Sequence, residues 1–149
     1  MIKIQHEDFD LGQEATALHA AGVGAVVTFT GLVRDHASSG AVSAIELEHF
    51  PGMTEKSLAA IETEARQRWP LLGVTIVHRI GKLAAGEQIV LVAVSAGHRQ
   101  AAFAAASFLM DYLKTRAPFW KREWVNGQPL WVEAKASDQA AAEYWQDEA

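Results

Sequence analysis

Ile89-Val-Leu-Val-Ala-Val94 carries apolar side chains on both of its alternating faces, and that decides the architecture. A strand that meets water on one side alternates apolar and polar residues. One that is apolar on both sides belongs in the middle of a sheet, covered above and below. The strand is predicted over 88–95. Directly after it, Ser95-Ala-Gly-His-Arg99 opens a long Ala-rich helix over 99–116, with Phe103, Met110 and Leu113 expected to face inward. Pro118 biases Ala117 away from helical geometry and sets the end of that helix.

Upstream, Ala25-Val-Val-Thr-Phe-Thr-Gly-Leu-Val33 is rich in β-branched residues and reads as a strand over 25–33. The small, polar loop over 34–40 is expected to be mobile. Ala44-Ile-Glu-Leu-Glu-His-Phe50 alternates apolar and charged side chains, a strand with one wet face, and Pro51-Gly52 ends it. Thr54 is expected to cap the next helix, with Glu55 in its first turn. Leu58, Ile61, Ala65 and Trp69 share one helical face, and Pro70 stops the run. A strand over 74–80 then leads to 88–95 through a loop holding Gly81 and Gly86. Downstream, Asn126-Gly127 marks a hairpin between strands over 121–125 and 130–135, and Ser137 is expected to cap a last helix reaching Trp145. Strands and helices mix without βαβ alternation, so the fold class is α+β, a single domain over 1–149 with a small antiparallel hairpin region.

Composition narrows the function. The chain has 149 residues, half of them hydrophobic, and a formal net charge of −5. No apolar run is long enough to span a bilayer, and Met1-Ile-Lys-Ile-Gln5 lacks the apolar stretch of a signal peptide, so a cytoplasmic protein without membrane contact is expected. Nucleic-acid binding needs a broad basic footprint, which an acidic chain does not supply. There is no cysteine, which excludes disulfides, thiolate metal sites, iron–sulfur clusters and a cysteine nucleophile. His6, His19, His36 and His49 show no metal-ligand spacing, so neither a metal nor another cofactor is expected. His78 reads as a satisfied strand histidine, Trp69 and Trp145 as packing residues, and Ser38-Ser-Gly40 lacks the surroundings of a hydrolase nucleophile.

Against this acidic background, Asp111-Tyr-Leu-Lys-Thr-Arg-Ala-Pro-Phe-Trp-Lys-Arg-Glu123 reverses sign. Four of the 13 Lys and Arg residues (Lys114, Arg116, Lys121 and Arg122) lie within nine positions, with no acid between them. Such a cluster suits an anion, and lysines crowded by cations are candidate nucleophiles or bases. At the opposite end of the 99–116 helix, Gly97 lets a ligand approach the backbone, while the free amides of the helix start, His98 and Arg99 offer donors to an anion. The two ends are about 24 Å apart at the standard helical rise, beyond the reach of one small ligand. Either an extended substrate or partner tail spans them, or two protomers assemble one site; the second is favoured and predicts a symmetric dimer. Arg34, at the opening of the 34–40 loop, is a further binding candidate.

Val27-Thr-Phe-Thr-Gly-Leu-Val-Arg34, Glu48-His-Phe-Pro-Gly-Met-Thr-Glu55, His78-Arg-Ile-Gly81, Gly97-His-Arg99 and the stretch from Tyr112 to Glu123 together resemble the large, catalytic subunit of molybdopterin synthase. The resemblance runs from about residue 23 to 145. It implies an α/β hammerhead fold and sulfur transfer in molybdenum cofactor biosynthesis. Two sulfurs would pass to cyclic pyranopterin monophosphate from the C-terminal Gly-Gly thiocarboxylate of a small ubiquitin-like partner. It also implies a central homodimer with one small subunit at each end, a heterotetramer. By motif, Lys114 and Lys121 match essential lysines, and Arg34, His98 and Arg99 match substrate-pocket residues drawn from both protomers. Arg116 and Phe119 are further candidates around the pocket. Lys135 stands where arginine is expected and keeps the charge without the two-pronged geometry, so it is carried as a candidate anion contact. Two rival readings of the basic cluster are a Schiff-base lyase using Lys114, and a non-catalytic adaptor that docks a ubiquitin-like tail.

Overall fold

The computed structural model describes residues 1–132 and 136–147. The 89–94 run forms the middle of β7 (Gln88–Ala96), which lies between β5 (Leu71–Arg79) and β2 (Ala25–Leu32), antiparallel to both. A short parallel strand, β1 (Ile2–Gln5), completes this first sheet on the far side of β5. Val90, Val92 and Val94 point into one core and Leu91 and Ala93 into another, which is why both faces of the run are apolar. Fully burying a Val or Leu side chain contributes roughly 1.5–3 kcal/mol, so this strand anchors the molecule on two sides.

The larger core holds the face covered by α2 (Met53–Arg68), α3 (Arg99–Arg116) and α4 (Ala136–Asp147). Trp69 and Trp145 meet edge to face there and both contact Phe108, as expected of packing residues. The opposite face is covered by Phe9 and Leu18, which flank α1 (Leu11–Thr16). Neither β1 nor α1 was read from the sequence.

A second, curled sheet is built on β4 (Gly40–His49). It pairs with β8 (Phe119–Val125) on one side and β6 (Gly81–Ala84) on the other, while β9 (Gln128–Val132) extends it beyond β8. The expected loop at Gly81 is therefore strand β6. Residues 34–40, expected to be mobile, contain β3 (His36–Ala37), paired back onto β4. Asn126 and Gly127 take φ of 50° and 81° in the two-residue β8–β9 turn, the left-handed pair that Asn-Gly favours.

Two expectations fail locally. Thr54 does not cap α2: Gly52, with φ 84°, holds that position, and its N–H donates to the Glu55 carboxylate at 2.9 Å. Phe103 does not face inward but is 62% exposed, because the buried side of α3 is occupied by Ala102, Ala105, Phe108, Leu109, Tyr112 and Leu113. The mixed α+β class holds. Among the described residues, no helix is long and apolar enough to cross a membrane.

Candidate functional site

Helix α3 carries candidate residues at both ends. At its start, β7 runs out through Ala96 and Gly97, and His98 takes the N-cap position in extended geometry, leaving its side chain free of any capping bond. Gly97, His98 and Arg99 are exposed. The backbone of Gly24 lies so close that a Cβ there would sit 2.2 Å from the Gly97 carbonyl oxygen, while Gly24 N–H donates to the Ala96 carbonyl at 2.9 Å. Only a residue without a side chain fits this approach. Beside it, His19, Ala20 and Val23–Val26 line an open cleft of about 460 Å³.

At the other end, Ala117 is extended (φ −88°, ψ 124°), as the following proline requires, and the chain turns straight into β8. The four cations of the cluster are not equivalent there. Arg116 lies 3.8 Å from Glu64 and stacks 3.7 Å from the Tyr112 ring. Arg122 is ion-paired with Glu46 and lies over Trp124 and Trp131. Both arginines are thus engaged with their own chain. Lys114 is exposed and has no carboxylate partner among the described residues. Lys121 is half-buried on β8, in register with Leu47 and Val132.

Between the two lysines sits Phe119, cross-strand from His49 and stacked on His78 with ring centroids 4.0 Å apart. His78 on β5 is buried, and its Nδ1–H donates to the Arg79 carbonyl at 2.8 Å. Burial pushes its pKa down to about 4, and the charge of Lys114 acts in the same direction; the imidazole is neutral at pH 7. His49 lies between two carboxylates, Glu48 at 3.0 Å and Glu55 at 3.6 Å. The His49 backbone N–H and imidazole hold the Glu48 carboxyl below the usual range. The α3–β8 joint is further pinned by Thr54, whose hydroxyl donates to the Pro118 carbonyl at 2.7 Å. The sequence signal for His78 was its place in His78-Arg-Ile-Gly81. Thr54 gave only a capping signal, which hid its long-range bond.

One chain does not gather all the candidates. The structure brings Lys114, Arg116, Phe119 and Lys121 to the α3–β8 joint, and His98 with Arg99 to the opposite end of α3. Arg34 follows β2, whose register with β7 runs from Ala25↔Ala96 to Leu32↔Gln88. Arg34 and His98 are therefore at opposite ends of that ladder, about 23 Å or more apart at the standard strand rise. Lys135 lies outside the described residues. Between the ends, Arg99, Phe103, Ala106, Ser107, Met110 and Lys114 recur at helical spacing on one face of α3. The middle four of these, with Val27–Phe29 of β2, line a cleft of about 370 Å³. Among the described residues there is no group of His, Asp and Glu arranged to hold a metal ion.

Comparison with known proteins gives this geometry its context. The profile of the family described as "MoaE protein" matches residues 4–116. A molybdopterin synthase catalytic subunit from Pseudomonas aeruginosa is 57% identical over 148 residues, covering 98% of this chain and 99% of its own. The molybdopterin biosynthesis MoaE protein of Burkholderia ambifaria superposes with a TM-score of 0.83 at 51% identity, with 97% of each chain covered. A crystal structure of molybdopterin synthase from Staphylococcus aureus superposes with a TM-score of 0.82 at 34% identity, over 88% of this chain and 96% of that one.

Proposed function

The chain belongs to the MoaE family, and from that premise we propose that it is the catalytic subunit of a molybdopterin synthase, a sulfurtransferase of molybdenum cofactor biosynthesis. It acts in the cytoplasm as one folded unit; Ile89 packs against the cores of both sheets and supports that unity. Its sulfur arrives on the C-terminal thiocarboxylate of a small ubiquitin-like subunit, which suits a chain that holds no cysteine. In each round the thiocarboxylate sulfur bonds to a carbon of cyclic pyranopterin monophosphate, and the C–O bond at that carbon breaks, its electron pair leaving with the oxygen as phosphate oxygen or, after protonation, as water. Water then cleaves the acyl–sulfur bond, leaving sulfur on the pterin and a carboxylate on the tail. Two rounds give the dithiolene.

The observation that carries the site assignment is the face of α3 that joins its two ends. Arg99 and Lys114 lie on the same face, and a stripe formed by the exposed Phe103 and Ser107 with the half-buried Met110 and the buried Ala106 at its floor is centred midway between them. A second copy packed antiparallel about that midpoint covers the stripe and sets His98 and Arg99 of one protomer against Lys114 of the other. The composite pocket then contains Arg34, Lys114 and Lys121 from one chain and His98 and Arg99 from its partner. Arg34, His98 and Arg99 hold the phosphate and the pterin. Lys114, whose ammonium has no carboxylate partner among the described residues, serves the reacting carbon as acid/base or stabilises charge on the intermediate, and Lys121 assists. Phe119 forms part of the wall.

The test is Lys114→Ala, assayed with the cyclic pterin and thiocarboxylated small subunit. Product formation should fall by roughly 10²–10⁴-fold, the usual worth of a positioned proton donor, with the dimer and partner binding intact. Wild-type turnover in this variant would refute the assignment. Borohydride trapping of a pterin adduct on Lys114 would favour the lyase reading, and partner binding without conversion by the wild-type protein the adaptor reading.

A further inference from the structure

Phe119 occupies the joint between α3 and β8, five residues after Lys114 and two before Lys121. Any rotation of that joint moves one lysine relative to the other. Two side chains from other elements hold it. Thr54 of α2, fully buried, bonds the Pro118 carbonyl. His78 of β5, 5% exposed, lies nearly parallel to the Phe119 ring, at 19°. Because Nδ1 faces a carbonyl oxygen it must carry the proton, and turning the ring away would strand the buried Arg79 carbonyl. The imidazole is thus locked from behind while its face supports Phe119.

We propose that His78 is a positioning residue of the sulfur-transfer site, holding Lys114 and Lys121 in their working arrangement through its stack on Phe119. The inference rests on the assignment of those two lysines made above. The surroundings fit the role. Lys114 from α3 and His49 from β4 both act electrostatically on the imidazole, so the ring lies within reach of the lysine charge. Arg79, on the same strand, is directed to Glu87 at 3.3 Å and Asp8 at 3.9 Å. A flat, neutral ring supports the joint without adding positive charge beside Lys114.

Two substitutions separate the ring from its hydrogen bond. His78→Phe keeps the stack and loses the N–H. His78→Gln keeps an amide N–H for the Arg79 carbonyl and loses the ring. Each is assayed in the reconstituted synthase below its own unfolding transition, with kcat and KM for the small subunit determined separately. Displacements of about 1 Å cost on the order of 100-fold, so His78→Gln should lower kcat by roughly 10- to 100-fold with KM little changed, while His78→Phe stays within about threefold of wild type. Wild-type kcat in His78→Gln, or an equal loss in His78→Phe, overturns the proposal. A Lys114→Ala control run alongside distinguishes the two claims: if it is inactive, only the role of His78 has failed, and if it is fully active, the site reading itself has failed.

Discussion

The buried neutral histidine makes a quantitative prediction about acid stability. In the unfolded chain the His78 imidazole takes up a proton near its ordinary value of 6.5, whereas in the folded protein burial delays this to about 4. Between those pH values the unfolded state binds more protons than the folded one. Stability is therefore complete above pH 6.5 and falls as pH drops toward 4. The loss from this one group is about 2 kcal/mol by pH 5 and about 3 kcal/mol by pH 4, taking ~1.4 kcal/mol for each tenfold difference in proton affinity. Urea denaturation at pH 7 and pH 5, at fixed protein concentration so that dissociation of the proposed dimer is held constant, measures it directly. The carboxyls of Asp8 and Glu48 are held below their ordinary values of 3.8 and 4.5, so their contributions are lost only at lower pH. His78→Phe has nothing to protonate and should lose about 2 kcal/mol less than wild type between pH 7 and pH 5. Identical losses in the two proteins would show that His78 is not kept neutral by burial and would refute the reasoning.

Other consequences can be checked singly. Mixing His98→Ala and Lys114→Ala proteins under exchange conditions should restore about a quarter of the wild-type activity, since half the dimers are mixed and each regains one of two sites; no recovery would mean that the site lies within one chain. Gly24→Ala forces a methyl group to within 2.2 Å of the Gly97 carbonyl oxygen, and overpacking of that kind should cost about 1–3 kcal/mol in urea denaturation. Thr54→Val keeps the shape but strands the Pro118 carbonyl and the Phe50 N–H, which the hydroxyl serves at 2.7 Å and 2.9 Å; calorimetry should show a loss of about 1–3 kcal/mol.

Much of the fold was legible along the chain because its signals are local. The doubly apolar run announced the central strand, Pro118 the end of α3, and Asn126-Gly127 the hairpin. Elements that depend on distant partners were missed. Strand β1 exists through its parallel pairing with β5, and β6 through its pairing with β4 across 34 or more residues. Phe103 was misread because helical periodicity shows which residues share a face but not which face is covered.

The site divides along the same line. Sequence by itself determined the inventory: a basic cluster on an acidic chain, anion-binding residues at the other end of one helix, no cysteine, and motifs that match one family from strand to tail. Residue type and order are enough for that, since chemistry and family signature are carried by the chain itself. Tertiary structure alone decided which cations are committed, because Glu46 and Glu64 reach Arg122 and Arg116 from other strands and helices. It also decided that Arg34 and His98 lie at opposite ends of one ladder, and that His78 and Thr54 hold the joint between the two lysines. Ion pairing, stacking and reach are set by distances in space, and spacing along a chain does not contain them.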